Sequence, residues 1–118
     1  MGQNVVVVES DSKVVKSLSS HFHSVYLTRS GEELRQRVAK SRPEAVILDM
    51  EQSRLSDVRS LRHDFPSLPI LCTHRVPDEE LWIAALDAGA SDVCSIDDIQ
   101  SVLTAVLRNA AAAKSAVA

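Results

Sequence analysis

The sequence predicts an α/β domain, a (βα)5 doubly wound parallel sheet whose five strands stand in the order 2-1-3-4-5. Three observations predict it. Five short apolar or β-branched runs recur about every twenty residues, each reading as a strand buried on both faces. The stretches between them carry apolar residues at helical spacing, which makes each crossover a helix. The 118 residues suit a single domain, and five units are too few for an eight-stranded barrel. Right-handed crossovers then leave an open sheet, whose common five-stranded order is 2-1-3-4-5.

The elements follow in chain order. The first strand is the valine run at 5–8, and Val14, Val15, Leu18 and Phe22 share one face of the first helix. The second strand spans 24–28. The second helix opens on a capping box, Ser30-Gly-Glu-Glu33, and carries Leu34 and Val38 on one face. The third strand is the Ala-Val-Ile-Leu run at 45–48, followed by a helix over 56–65 with Val58, Leu61 and Arg62 at helical spacing. The fourth strand lies at 69–73. Its helix runs from Asp78 through Leu81, Trp82, Ala85 and Leu86 to Gly89, the glycine stop. The fifth strand is 92–96, and the last helix places Ile99, Val102, Leu103, Val106 and Leu107 on a stripe. The domain is therefore read as 4–108, with 109–118 an Ala-rich tail or linker that is helix-prone but has nothing to bury.

Composition excludes several classes of function. Apolar residues make up 45% and charged residues 25%, as in an average soluble domain, and no apolar run approaches the roughly 20 residues of a membrane span. Net charge is −3 with the basic residues scattered along the chain, so the field that draws a protein to nucleic acid is missing. Cys72 and Cys94 show no metal spacing and are read as free buried thiols; the start lacks a signal-peptide pattern, which makes the cytoplasm the expected compartment. His21, His23 and His63 are at no ligand spacing. The chain has three glycines, where an average one of this length has about eight.

In a doubly wound sheet, ligands bind at the carboxyl ends of the strands beside the switch point between strands 1 and 3. A nucleotide site there needs glycines, so that backbone N–H groups can approach phosphate. The first turn instead reads Glu9-Ser10-Asp11-Ser12. Its two carboxylates repel anions and suit a cation, and Asp49, at the end of the third strand, adds an oxygen ligand that could help hold Mg2+. Thr73 brings a hydroxyl to the end of the fourth strand.

These residues resemble the receiver domains of two-component response regulators, flavodoxin-like domains of bacterial signalling. The resemblance runs from Val5 to about Leu107 and rests on motifs in order: the acidic turn after strand 1, Arg42-Pro-Glu-Ala-Val-Ile-Leu-Asp49, Pro66-Ser-Leu-Pro-Ile-Leu-Cys-Thr73, and Ala88-Gly-Ala-Ser-Asp92. It implies that Asp49 is the phosphoacceptor, charged by a histidine kinase or small phosphodonor with the help of Mg2+. It further implies that Thr73 is the switch hydroxyl and that the face of helix 4, strand 5 and helix 5 changes partners. Such a domain is a signalling module and not an enzyme, with no catalytic residues of its own.

Departures from the family pattern fall at the pocket. The paired acids after strand 1 become Glu9 and Ser10, with Asp11 one residue further on. The phosphate-pairing lysine aligns with Ile96 and its following proline with Asp97. The aromatic switch position aligns with Val93, the small residue after the switch hydroxyl is His74, and the turn after Asp49 has Ser53-Arg54. Mg2+ held by Glu9 and Asp49 would be weakened or lost. The expected function is a pseudo-receiver that works by protein contact, with a phosphorylation-competent receiver as the alternative and a flavodoxin-like nucleotide-binding enzyme a third that lacks its phosphate loop. The expected partners are a histidine kinase or a downstream signalling protein, with a homodimer left open and no nucleic acid or membrane. Trp82 is divided between packing and partner contact, Glu79, Glu80 and Asp87 are read as a solvated face, and His74 as an exposed loop residue unless it fills the phosphate position.

Overall fold

The computed structural model describes residues 4–8, 12–29, 31–76 and 78–117, with side chains at all of these except Ser12 and 113–117. Strands β1 (Asn4–Val8), β2 (Ser24–Leu27), β3 (Ala45–Asp49), β4 (Ile70–His74) and β5 (Asp92–Ser95) alternate with helices α1 (Ser12–Ser19), α2 (Glu32–Ser41), α3 (Leu55–Asp64), α4 (Glu79–Ala88) and α5 (Ile99–Val117). All strand pairs are parallel, in the order β2-β1-β3-β4-β5. This is the flavodoxin-like topology expected from the alternation of elements.

Because successive side chains on a strand point to opposite faces, each central strand feeds two cores. Val6, Val8, Val46, Leu48, Ile70 and Cys72 pack with Leu34 and Val38 of α2, Val58 and Leu61 of α3, and Ala85 of α4. Val5, Val7, Ala45, Ile47 and Leu71 pack on the other face with Leu18 of α1 and Val102, Leu103 and Val106 of α5. Burial on both faces explains why these strands read as continuous apolar runs. β2 and β5 are the edges. β2 is only half-buried, and the Arg37 guanidinium sits 5.2 Å above the Tyr26 ring centroid.

Local differences from expectation have local causes. β2 stops at Leu27, and Thr28 turns toward α2, where its hydroxyl donates to Glu33 Oε1 at 3.1 Å. The expected capping box turns on Ser30, which lies outside the described residues. Gly31 is the N-cap residue of α2, at φ 86° and without a side-chain cap bond. The helix closes on Arg42 in the left-handed region (φ 46°), its N–H donating to Val38 O, with Pro43 barring continuation. On α4, Ala85 and Ala88 are buried, while Trp82 and Leu86 stand 49% and 42% exposed, because the sheet ends at β5 and supplies no further strand beneath them. On α5, Leu107 turns outward and Ala105 and Ala110 join the buried stripe; the helix runs through position 108 without a break. No helix among the described residues is long and apolar enough to cross a membrane.

Candidate functional site

Parallel pairing of β3 with β4 puts Asp49 opposite Thr73 at the carboxyl ends of the two strands. The ladder continues one step further, with Met50 N–H donating to Thr73 O at 2.8 Å. Both residues are buried, and Asp49, at 6% exposure, is the one buried carboxylate among the described residues. Its position is held by the turn after it: Gln52 and Ser53 N–H donate to Asp49 O at 2.9 Å each, and Glu51 N–H donates to Asp49 Oδ1 at 3.1 Å. The turn therefore supplies this carboxylate with a backbone donor.

Thr73 has no exposed surface, and its hydroxyl donates to Leu48 O at the long distance of 3.5 Å. Such a bond is weak. His74, expected in an exposed loop, is the half-buried last residue of β4. Its Nδ1 accepts from Val76 N–H at 3.0 Å, which places the proton of the neutral ring on Nε2. Its carbonyl accepts Ile96 N–H at 3.0 Å, tying the end of β5 to β4. Ile96 itself brings a half-buried aliphatic side chain to this edge. Val93, opposite Cys72, is buried in the core shared with α4. Glu9, Ser10 and Asp11 lie outside the described residues.

Glu51 and Arg75 are a pair not anticipated from the sequence. Each stands two residues past a strand-end residue of the register Asp49↔Thr73, and Arg75 Nε lies 3.8 Å from Glu51 Oε1. The register alone could have located them, since equal offsets from paired residues bring the two loops together. Arg75 thus brings a positive charge to the rim from β4, whereas the end of β5 supplies none. Among the described residues, no three His, Cys, Asp or Glu side chains converge to hold a metal ion.

A five-stranded parallel sheet of this order, with a buried aspartate and a hydroxyl side by side at its switch edge, defines the class as a flavodoxin-like α/β domain. No family model matches the chain. The response regulator MprA of Mycolicibacterium vanbaalenii is 33% identical over 119 residues, covering 92% of this chain and 52% of that protein; the chain spans about half the length of the curated relatives it matches. The BeF3-activated N-terminal receiver domain of RstA from Klebsiella pneumoniae is 26% identical, with a TM-score of 0.75 over 90% of this chain and 96% of that one. A response regulator protein from Burkholderia pseudomallei, with a phosphorylated aspartic acid, calcium ion and citrate, shares the fold at a TM-score of 0.77 and 18% identity, over 98% of this chain and 73% of that one. The chain belongs to the receiver domains of two-component response regulators, which are signalling domains rather than enzymes.

Proposed function

We propose that this receiver domain is a pseudo-receiver, acting in the cytoplasm by protein contact through the face of α4, β5 and α5, with a degenerate phosphorylation pocket. Ile96 carries the reading. The position that resemblance gives to the phosphate-pairing lysine is aliphatic, and Arg75, just past the end of β4, is engaged with Glu51 at the rim. A charge-assisted contact to an acyl phosphate is worth about 1.5–3 kcal/mol, so its loss costs roughly ten- to a hundredfold in formation or lifetime of the phosphorylated state. Ser10, where the family carries a second acid, adds to this by removing a charge from the metal site.

Asp49 and Thr73 favour a second reading, a receiver that still accepts a phosphoryl group. In that case an Asp49 carboxylate oxygen forms the new bond to phosphorus as acetyl phosphate or a phosphohistidine releases its leaving group, and Thr73 exchanges Leu48 O for a phosphoryl oxygen. Glu9 and Asp49 are the residues that would hold Mg2+, whose chemistry is to neutralise charge on the transferring group. The upstream partner is a histidine kinase and the downstream one a signalling protein. The signalling unit is residues 4–108, with 109–118 an Ala-rich tail or linker of which Ala110 still packs on the domain.

Incubation with Mg2+ and acetyl phosphate tests the choice, read by intact mass and by Trp82 fluorescence. The pseudo-receiver shows no gain in mass at millimolar Mg2+, and the double change Ser10→Asp with Ile96→Lys restores one. A gain in the unaltered chain that vanishes in Asp49→Asn overturns the reading in favour of the second.

A further inference from the structure

Charge is distributed unevenly along this chain. Residues 78–113 hold seven of the 16 acidic residues and only one of the 13 basic ones, Arg108. This stretch is net −6, whereas the remainder, with nine acidic and twelve basic residues, is net +3. It is the part that builds α4, β5 and most of α5.

The same face exposes apolar surface. Trp82, Ile83 and Leu86 are 49%, 60% and 42% exposed, and the helical period sets them on one stripe of α4. A groove of about 590 Å³ opens beside Trp82, floored by β5 and walled by Ser101, Thr104 and Arg108 of α5. The stripe runs between two acidic margins. Glu80 and Asp87 flank it on the side of α4 away from the groove, and Asp92 and Asp98 line the groove itself. Arg108, the one cation of residues 78–113, is already committed, with its Nη2 2.8 Å from Asp92 Oδ2.

We infer that this face takes a basic amphipathic helix of another protein, not a second copy of this chain. The inference rests on the reading of the face as the signalling surface and names the chemistry of what it binds. A cationic helix with an apolar stripe would lay that stripe against Trp82, Ile83 and Leu86 and its lysines or arginines against the two margins. A two-fold dimer would instead press the patch onto its own image, carboxylates against carboxylates, with no free arginine between them. The same sign of charge turns away nucleic acid and anionic lipid.

Trp82 is the only tryptophan, so the full chain reports directly on the face. The probes are three synthetic peptides of about 18 residues: a Leu/Lys amphipathic helix, the same composition scrambled to abolish the stripe, and a Leu/Glu amphipathic helix. The Leu/Lys helix is expected to shift Trp82 emission to the blue saturably, and to bind at least about tenfold more tightly than either of the others. Glu80→Lys with Asp87→Lys, both exposed and tolerable to the fold, weakens that binding about tenfold, while Glu32→Lys on α2 leaves it unchanged. Equal binding of the scrambled peptide overturns the inference. Tighter binding of the Leu/Glu helix, or a dimer in sedimentation that Trp82→Ser dissociates, also overturns it but keeps this face as an interface. No response of Trp82 to any peptide, in a chain that stays monomeric, removes both readings of the face; the phosphorylation assay stands apart from all of these.

Discussion

The Arg62 Nε donates to the Gly89 carbonyl at 2.9 Å, and a Cβ added to Gly89 would come within 2.8 Å of Arg62 Cβ and Cγ. The two residues join the end of α3 to the end of α4. Arg62 also donates through Nη1 to Pro66 O at 2.8 Å and through Nη2 to Ser91 Oγ at 3.3 Å, and Ser91 Oγ accepts Ile70 N–H at 3.1 Å. One guanidinium thus ties α3, the loop before β4 and the loop before β5. Gly89 meets two demands, a φ of 120° and room for the arginine stem.

Arg62→Ala is expected to lower the unfolding free energy by about 2–3 kcal/mol, and Arg62→Lys to recover less than half of the loss, because a single ammonium nitrogen does not span the acceptors that Nε, Nη1 and Nη2 reach separately. Gly89→Ala is expected to cost about 2 kcal/mol or more, from backbone strain and the displaced arginine. Urea midpoints at unchanged slope measure all three.

The two thiols lie on neighbouring strands with their side chains in opposite cores, Cys72 among the α2–α4 residues and Cys94 among those of α1 and α5. Burial pushes Cys72 up to about 12, with a smaller push from Cys94. Burial, and then the Asp92 carboxylate, pushes Cys94 up to about 11. At pH 8 the native chain should resist iodoacetamide while the urea-unfolded chain gains two adducts by mass. The folded thiols titrate above the ordinary value of 9.0, so their contribution to stability is complete below pH 9 and is lost as pH rises toward 11–12. Cys72→Ala should flatten the fall in Tm between pH 8 and pH 10.

Ser53 is 7% exposed, and its hydroxyl has no hydrogen-bond partner among the described residues. An unpaired buried hydroxyl costs free energy. Ser53→Ala is expected to raise stability by about 0.5–1 kcal/mol in urea unfolding, and a loss of similar size would show that the hydroxyl has a partner after all.

Two aspartates cap α4 and α5. Asp78 Oδ1 accepts Leu81 N–H at 2.8 Å at the start of α4, and Asp98 accepts Ser101 N–H at 3.2 Å and Ser101 Oγ–H at 2.6 Å at the start of α5. Asp78→Ala should cost about 1 kcal/mol. The Ser101 hydroxyl, and then its N–H, hold the Asp98 carboxyl below its ordinary 3.8. Its stabilising effect is therefore complete above that value and lost as pH falls through the lowered one. Asp98→Ala should show a shallower loss of Tm on acidification below pH 5 than the unaltered chain.

Much of the fold was legible in the sequence because each element carries its own period. The valines at 5–8 and the run at 45–48 name central strands, and Leu34 with Val38 names the buried face of α2. At the proposed site, the positions of Asp49 and Thr73 at strand ends were legible for the same reason. The Thr28 hydroxyl bond to Glu33 went unnoticed because only the folded turn brings the two near. Glu51 and Arg75 went unnoticed because no local pattern marks them; they meet through the β3–β4 register.

The sequence by itself determined the alternation of strands and helices, and the right-handedness of crossovers left an open doubly wound sheet, whose common order is the one found. The alternation follows from local periodicity and the openness from chain chirality. Which apolar side chains find a neighbour was decided by the tertiary structure. Trp82 and Leu86 have the helical spacing of a core stripe, yet they face solvent because β5 is the last strand and nothing packs beyond it. The direction of the Thr73 hydroxyl and the three-way reach of Arg62 were decided in the same way, by what other segments place within a few ångströms. A period tells a side chain which face it is on; only the assembled layers determine whether that face is covered.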